Sequence, residues 1–192
     1  MFRLLLRGCD LAYRWLHGLL DPAAQVGEAL RVELARHRGP MVALADGTKV
    51  RPGDRIGIIH LYPERVAALH GDGSETPTAG LKFRHAFVAS LAELARRVGE
   101  SDRYVGVKAF TAETILHRGT QRAGFEILPI PSATWSRLVA AYERALLTRY
   151  HPLGRRRASR LRFSEARAIW ISRTALLRRY APERSVPSGT SS

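Results

Sequence analysis

Apolar positions change period along the chain, and the changes mark its elements. From Met41 to Tyr62 short apolar runs alternate with turn residues: Met41 to Leu44, a break at Asp46-Gly47, Lys49-Val50, a second break at Pro52-Gly53-Asp54, then Arg55 to Tyr62. This predicts a β-meander with a type I′ turn at Asp46-Gly47. In its last strand Ile56, Ile58, His60 and Tyr62 share one face and Gly57, Ile59 and Leu61 the other. From 81 to 98 the period becomes helical, with Phe83, Phe87, Leu91, Leu94 and Val98 on one side and Gly99 at the end.

The stretch from Tyr104 to Pro131 reads as strand, helix and strand. Tyr104, Val105, Val107 and Phe110 form a β-branched and aromatic run, and Gly106 suggests a bulge or close backbone approach. Thr111 and Glu113 suit a helix N-terminus, predicting a helix over 112–123 that ends at a left-handed Gly124. Phe125 to Ile130 then forms a strand, short or at an edge because of Pro129 and Pro131. Trp135, Leu138, Val139, Tyr142, Leu146 and Tyr150 mark one face of a helix over 135–150, capped by Ser132 or Thr134. A last helix is expected over 164–180, with Ser164 as its cap and Ala166, Ile169, Trp170, Leu177 and Tyr180 inward.

The N-terminal third is less regular. In residues 1–20, Arg3, Arg7, Asp10 and Arg14 lie on one helical stripe, with Phe2, Leu5, Leu6, Cys9, Trp15, Leu16 and Leu19 over the remainder. This amphipathic pattern suits a helix docked on its own domain or one lying on a membrane surface, with Arg3, Arg7, Arg14 and Trp15 as the contacts. Asp21-Pro22 signals a helix start. The segment to about Arg38 reads as a short helix or, alternatively, a strand near Ala29 to Leu34. Residues 70–80 are polar and glycine-rich and read as an exposed loop, and 182–192 as a disordered tail. The expectation is an α+β fold: a small mixed sheet covered on one face by amphipathic helices, as one domain over 21–181 after the 1–20 helix.

Hydrophobic content of 45% and charged content of 25% are ordinary for a globular chain of 192 residues, but a net charge of +14 is not. The excess is arginine, since Lys49, Lys82 and Lys108 are the only lysines. Arg155, Arg156, Arg157, Arg160 and Arg162 follow a turn and form a candidate phosphate or carboxylate site. Anionic lipid and acidic or phosphorylated glycan are the expected partners. Nucleic acid ranks below them, because no RNA-binding, zinc-finger or helix-turn-helix signature accompanies the charge.

Candidate chemistry is sparse. His60 in an apolar strand is either a hydrogen-bonded interior imidazole or a general base. His60, His70, His85, His117 and His151 lack metal-ligand spacing, and no nucleotide motif is present, so neither metal nor cofactor is expected. A lone Cys9 fits a reducing compartment, and no run approaches the roughly eighteen apolar residues of a membrane span. The expected location is cytoplasmic, peripheral on the inner membrane if the first helix binds lipid.

Two families share local patterns with the chain. Gln121-Arg122-Ala123-Gly124-Phe125 resembles the late helix and following strand of the GNAT acyltransferases, and the resemblance covers only 104–131. The pyrophosphate-binding loop of that family has no match, Arg96-Arg97-Val98-Gly99 lacking the second glycine. Asp46-Gly47-Thr48, Pro52-Gly53-Asp54, Ile56-Gly57, His60-Leu61 and Ala109-Phe110 through Gly124-Phe125 resemble the YkoP-like family of bacterial proteins over about residues 10 to 180. That resemblance implies an accessory role in envelope polysaccharide or lipid metabolism, beside a polysaccharide deacetylase or glycosyltransferase, and supplies no catalytic residues. Three readings follow: an accessory protein binding an anionic partner at the membrane surface, a GNAT-like transferase or a hydrolase with His60 as general base, and a nucleic-acid-binding protein.

Overall fold

Seven consecutive residue pairs join β2 (Leu30–Arg36) to β5 (Arg55–Leu61) in antiparallel register, from Leu30 opposite Leu61 to Arg36 opposite Arg55. The structure, a computed structural model, describes residues 21–61, 77–150 and 165–181. The expected helix over 1–20, the arginines from 155 to 162, the Ser164 cap, Cys9, the tail and most of the 70–80 loop lie outside these residues.

Around the β2–β5 ladder the described elements build one body on a six-stranded mixed sheet. Its strand order is β1 (Gln25–Val26), β2, β5, β6 (Val107–Thr114), β8 (Arg167–Ser172) and β7 (Glu126–Pro129). The pair β5–β6 is parallel and the other pairs are antiparallel. A separate hairpin joins β3 (Val42–Ala43) to β4 (Lys49–Val50). The helices are α1 (Pro77–Glu100), α2 (Ala133–Tyr150) and α3 (Arg173–Tyr180).

One sheet face presents Leu30, Val32, Ile59, Phe110, Ile169 and Ile171 to Leu91, Leu94 and Val98 of α1 and Leu176 of α3. The other presents Ile56, Ala109, Ala168 and Trp170 to Leu44 and Val50 of the hairpin. α2 packs at the end of β6, where Ala140 meets Ile115 and Ala166. The mixed α+β expectation therefore holds, as does the inward stripe of α1, which begins at Pro77 inside the expected loop and runs one residue past Gly99.

The expected helix over 112–123 is corrected. Residues through Thr114 continue β6, paired with β8 from Ala109↔Ser172 to Thr114↔Arg167, and only Thr120–Ala123 form a short 3-10 turn. The local signal at Thr111 and Glu113 is overridden because β8 pairs with this backbone as far as Thr114, and β5 as far as Thr111. The 3-10 turn does end at Gly124, left-handed at φ 88°, and Phe125 enters the core. The two strands of this unit are not neighbours, since β8 lies between β6 and β7. β7 is an edge strand, as its prolines predict.

The helix over 164–180 is corrected as well. Ala168, Ile169, Trp170 and Ile171 are all buried, the mark of a strand covered on both faces. The helical part starts at Arg173, and its cap is Ser172, whose Oγ accepts from the Ala175 N–H at 2.8 Å. In 21–38 the strand reading prevails and the helix shrinks to the 3-10 turn Pro22–Ala24, capped by Asp21. The meander is half right: β4 and β5 are joined by a turn with Gly53 at φ 89°, but β5 leaves the hairpin for the sheet. At Asp46-Gly47 only Gly47 has positive φ, so this is a type I turn closed by a left-handed glycine and not type I′. On α2, Trp135 and Leu138 are exposed, and Ala140 is the buried contact.

Gly57 marks the tightest point of the sheet. A Cβ there would lie 2.3 Å from Phe110 Cδ1 and 3.2 Å from Val32 Cγ1. Gly57→Ala is expected to cost about 1–3 kcal/mol through forced repacking. Urea unfolding of the two proteins measures it, and equal midpoints would show that the Phe110 ring has room to move.

Candidate functional site

Alternation along β2 puts Leu30, Val32 and Leu34 against the helices and turns Arg31 and Glu33 to the opposite face. The register sets Arg31 opposite His60 and Glu33 opposite Ile58. His60 Nε2 lies 3.2 Å from Glu33 Oε2, and the two side chains are 17% and 18% exposed. The sequence assignment of Ile56, Ile58 and His60 to one face is correct, and the hydrogen-bonding partner expected for His60 is Glu33.

This pair stands near the carboxyl ends of β5 and β6, the one parallel pair among the described residues. Chains that cross over a sheet leave such ends open, and ligand sites collect there in open α/β sheets. Glu113, near the end of β6, accepts from Trp135 Nε1 at 2.6 Å. Beyond it Glu143 of α2 accepts from the Ile115 N–H at 2.6 Å and from Thr114 Oγ1 at 3.0 Å. Burial pushes the Glu143 carboxyl up to about 7, against the pull of those two hydrogen bonds and with a further push from the Glu113 charge.

Chemically, an imidazole held by a carboxylate is the unit that orients a general base, and Arg31 stands opposite His60 in the ladder. Among the described residues no three His, Cys, Asp or Glu side chains converge as a metal site. The membrane-contact set Arg3, Arg7, Arg14 and Trp15 and the arginines from 155 to 162 lie outside the described residues, so His60 is the predicted site residue that the structure places. Sequence reasoning missed Glu33 and Arg31. Period-two alternation from Leu30 to Leu34 would have found them once that stretch was read as a strand. Glu143 had no such signal, because its burial depends on where α2 lands.

A mixed sheet with one parallel pair, α1 and α3 on one face, a hairpin on the other, α2 at the end of β6 and a polar His-Glu corner defines an α+β domain of a particular layout. The YkoP domain pattern matches residues 1–180, and the chain belongs to that family. Neither the curated proteins nor the solved structures contain a match.

The raised Glu143 carboxyl makes stability depend on pH. Its folded value of about 7 lies above the ordinary 4.5, so between these values the native state keeps a proton that the unfolded chain releases. This contribution is fully present below about pH 4.5 and is lost as pH rises through 7, on the order of 3 kcal/mol in all. Glu143→Gln, which cannot ionise, should gain stability relative to the unaltered chain between pH 5 and pH 8. Urea unfolding at both pH values checks this, and a constant difference would contradict the assignment.

Proposed function

We propose that this YkoP-domain protein is a basic accessory protein of bacterial envelope polysaccharide or lipid metabolism that binds an anionic partner at the cytoplasmic membrane surface. The observation that carries the reading is the charge surplus, 31 Lys and Arg against 17 Asp and Glu. Several described acids are already paired with cations of the same chain. Glu93 binds Arg96 and Arg97 and is held at about 2 by their hydrogen bonds, Asp54 pairs with Lys108, Asp21 with Arg103 and Glu165 with Arg167. A surplus left after such pairing draws anions by long-range attraction. The envelope setting comes from the family resemblance. The partner is an anionic lipid or a phosphorylated or acidic glycan intermediate, with a polysaccharide deacetylase or glycosyltransferase as the enzyme served. Attachment to the membrane surface is assigned to Arg3, Arg7, Arg14 and Trp15; among the described residues no helix is long and apolar enough to cross a membrane. The arginines at 155, 156, 157, 160 and 162 are the proposed anion contacts.

Co-sedimentation with neutral and anionic vesicles at low and high salt tests this. Binding to anionic vesicles that weakens with salt and falls in Arg3→Gln/Arg7→Gln/Arg14→Gln supports it. No sedimentation under any condition excludes the membrane-surface role.

The Glu33–His60 pair favours a second reading, a transferase or hydrolase on an envelope substrate with His60 as general base. The GNAT version is weakened by the missing phosphate-binding loop and by the single 3-10 turn where a helix was expected. Turnover of acylated polysaccharide fragments, abolished in His60→Gln and reduced at least about tenfold in Glu33→Gln, would establish it. Equal turnover in all three proteins would remove His60 from the chemistry.

A further inference from the structure

The last turn of α3 and the 3-10 turn before β7 enclose a cleft of about 260 Å³ lined by Gly124, Ala175, Arg178 and Arg179. Three features distinguish it from an ordinary pair of surface arginines. Gly124, held left-handed at φ 88°, brings its backbone close to the Arg179 side chain: a Cβ there would lie 3.0 Å from Arg179 Cδ and push it back by a few tenths of an ångström. Arg179 is anchored: its Nη2 donates to the Arg122 carbonyl at 2.6 Å, and its Cζ lies 5.8 Å from the centroid of the Tyr180 ring. Tyr180 is fixed in turn by donating to the Ala123 carbonyl at 2.9 Å. Anchoring uses one of the five N–H donors of a guanidinium and lowers the entropy lost when the others bind a ligand.

Arg178 is the second cation. It is exposed and makes no hydrogen bond or ion pair among the described residues. Its charge is felt by Asp46 in the hairpin turn. Burial would raise that carboxyl, but hydrogen bonds from Ser172 and Thr48 and the charge of Arg178 hold it below its ordinary value. Asp46 is thus already engaged by Ser172 Oγ and the Thr48 N–H, which leaves the Arg178 fork open. Arginines near a helix C-terminus often only offset its dipole. A concave wall and one pre-anchored guanidinium beside a close-lying backbone go beyond that role.

We propose that this cleft binds a phosphate or carboxylate group through Arg178 and Arg179, the two guanidinium forks gripping its oxygens. The inference rests on the anion-binding role above and gives that role a place among the described residues. The same oxygens occur on a soluble sugar phosphate and on a lipid headgroup.

The test uses the full chain with inorganic phosphate, a hexose 1-phosphate and phosphatidylglycerol vesicles, read by calorimetry and co-sedimentation. Arg178→Gln/Arg179→Gln is compared with Lys49→Gln/Lys82→Gln, which removes the same charge from exposed positions elsewhere. Arg178→Gln alone breaks no internal hydrogen bond and guards against a folding defect. A loss of at least about tenfold in the first double variant, a smaller loss in Arg178→Gln and little change in the lysine variant support the site. If only vesicles bind and the same arginine variants lose it, the site stands and the anion is a headgroup. Equal losses in the two double variants overturn the site while leaving the anion-binding role intact. No binding of any probe by the unaltered chain overturns both.

Discussion

Parallel pairing of β5 with β6 obliges the chain to travel the length of the sheet between them, and the connecting segment must then lie across one face. α1 does this, with Leu91, Leu94 and Val98 fully buried against the strands. Strands so placed need cover on both sides. The opposite face is closed by the β3–β4 hairpin over Ile56, Ala109 and Trp170, and the hairpin is secured at its turn. Ser172 Oγ donates to Asp46, and the Ala45 N–H donates to both Glu126 oxygens at 2.9 and 3.0 Å. Gly57 belongs to the same constraint. Without a side chain at that point, β5 admits the Phe110 ring of its parallel neighbour.

Among the described residues the hairpin lies over one end of its face, and the polar side chains gather toward the other. Toward Arg55 and Ser172 the face is apolar and shielded, whereas toward the carboxyl ends of β5 and β6 it carries Arg31, Glu33, His60 and Glu113. His60 and Glu33 are only 17% and 18% exposed, so the polar groups of this corner depend on partners within the protein, and each supplies one to the other.

Legibility in the sequence followed the range of the deciding interactions. α1 was readable because its stripe of Phe87, Leu91, Leu94 and Val98 is set within a few turns of chain, and β5 because both of its alternating faces are apolar. β6 and β8 were misread as helical beyond Thr111 and Ser164, since their strand state comes from pairing residues more than fifty positions apart, such as Thr111 with Trp170. The composition Thr-Ala-Glu-Thr tolerates either state, and long-range pairing selects one. The same limit applied at the site. His60 was conspicuous from β5 alone, but Glu33 becomes its partner only through the β2–β5 register, and Arg179 becomes part of a cleft only where α3 meets Gly124.

The arginine surplus has an internal use that bears on how it meets a partner. Arg36 donates to the Gly53 carbonyl, Arg173 to those of Tyr104 and Val98, and Arg179 to that of Arg122. These bonds join segments distant in sequence, and a lysine could not span two carbonyls in one plane as Arg173 does. Yet a carbonyl carries no net charge, so each bond fixes a guanidinium without neutralising it. The protein thus holds part of its positive charge in set positions and not on mobile side chains. Such fixed cations lose less entropy when an anion arrives, and they favour groups whose oxygens match their spacing over a diffuse polyanion. That argues for discrete phosphate or carboxylate recognition above non-specific attraction to nucleic acid, whose backbone rewards the number of cations more than their placement.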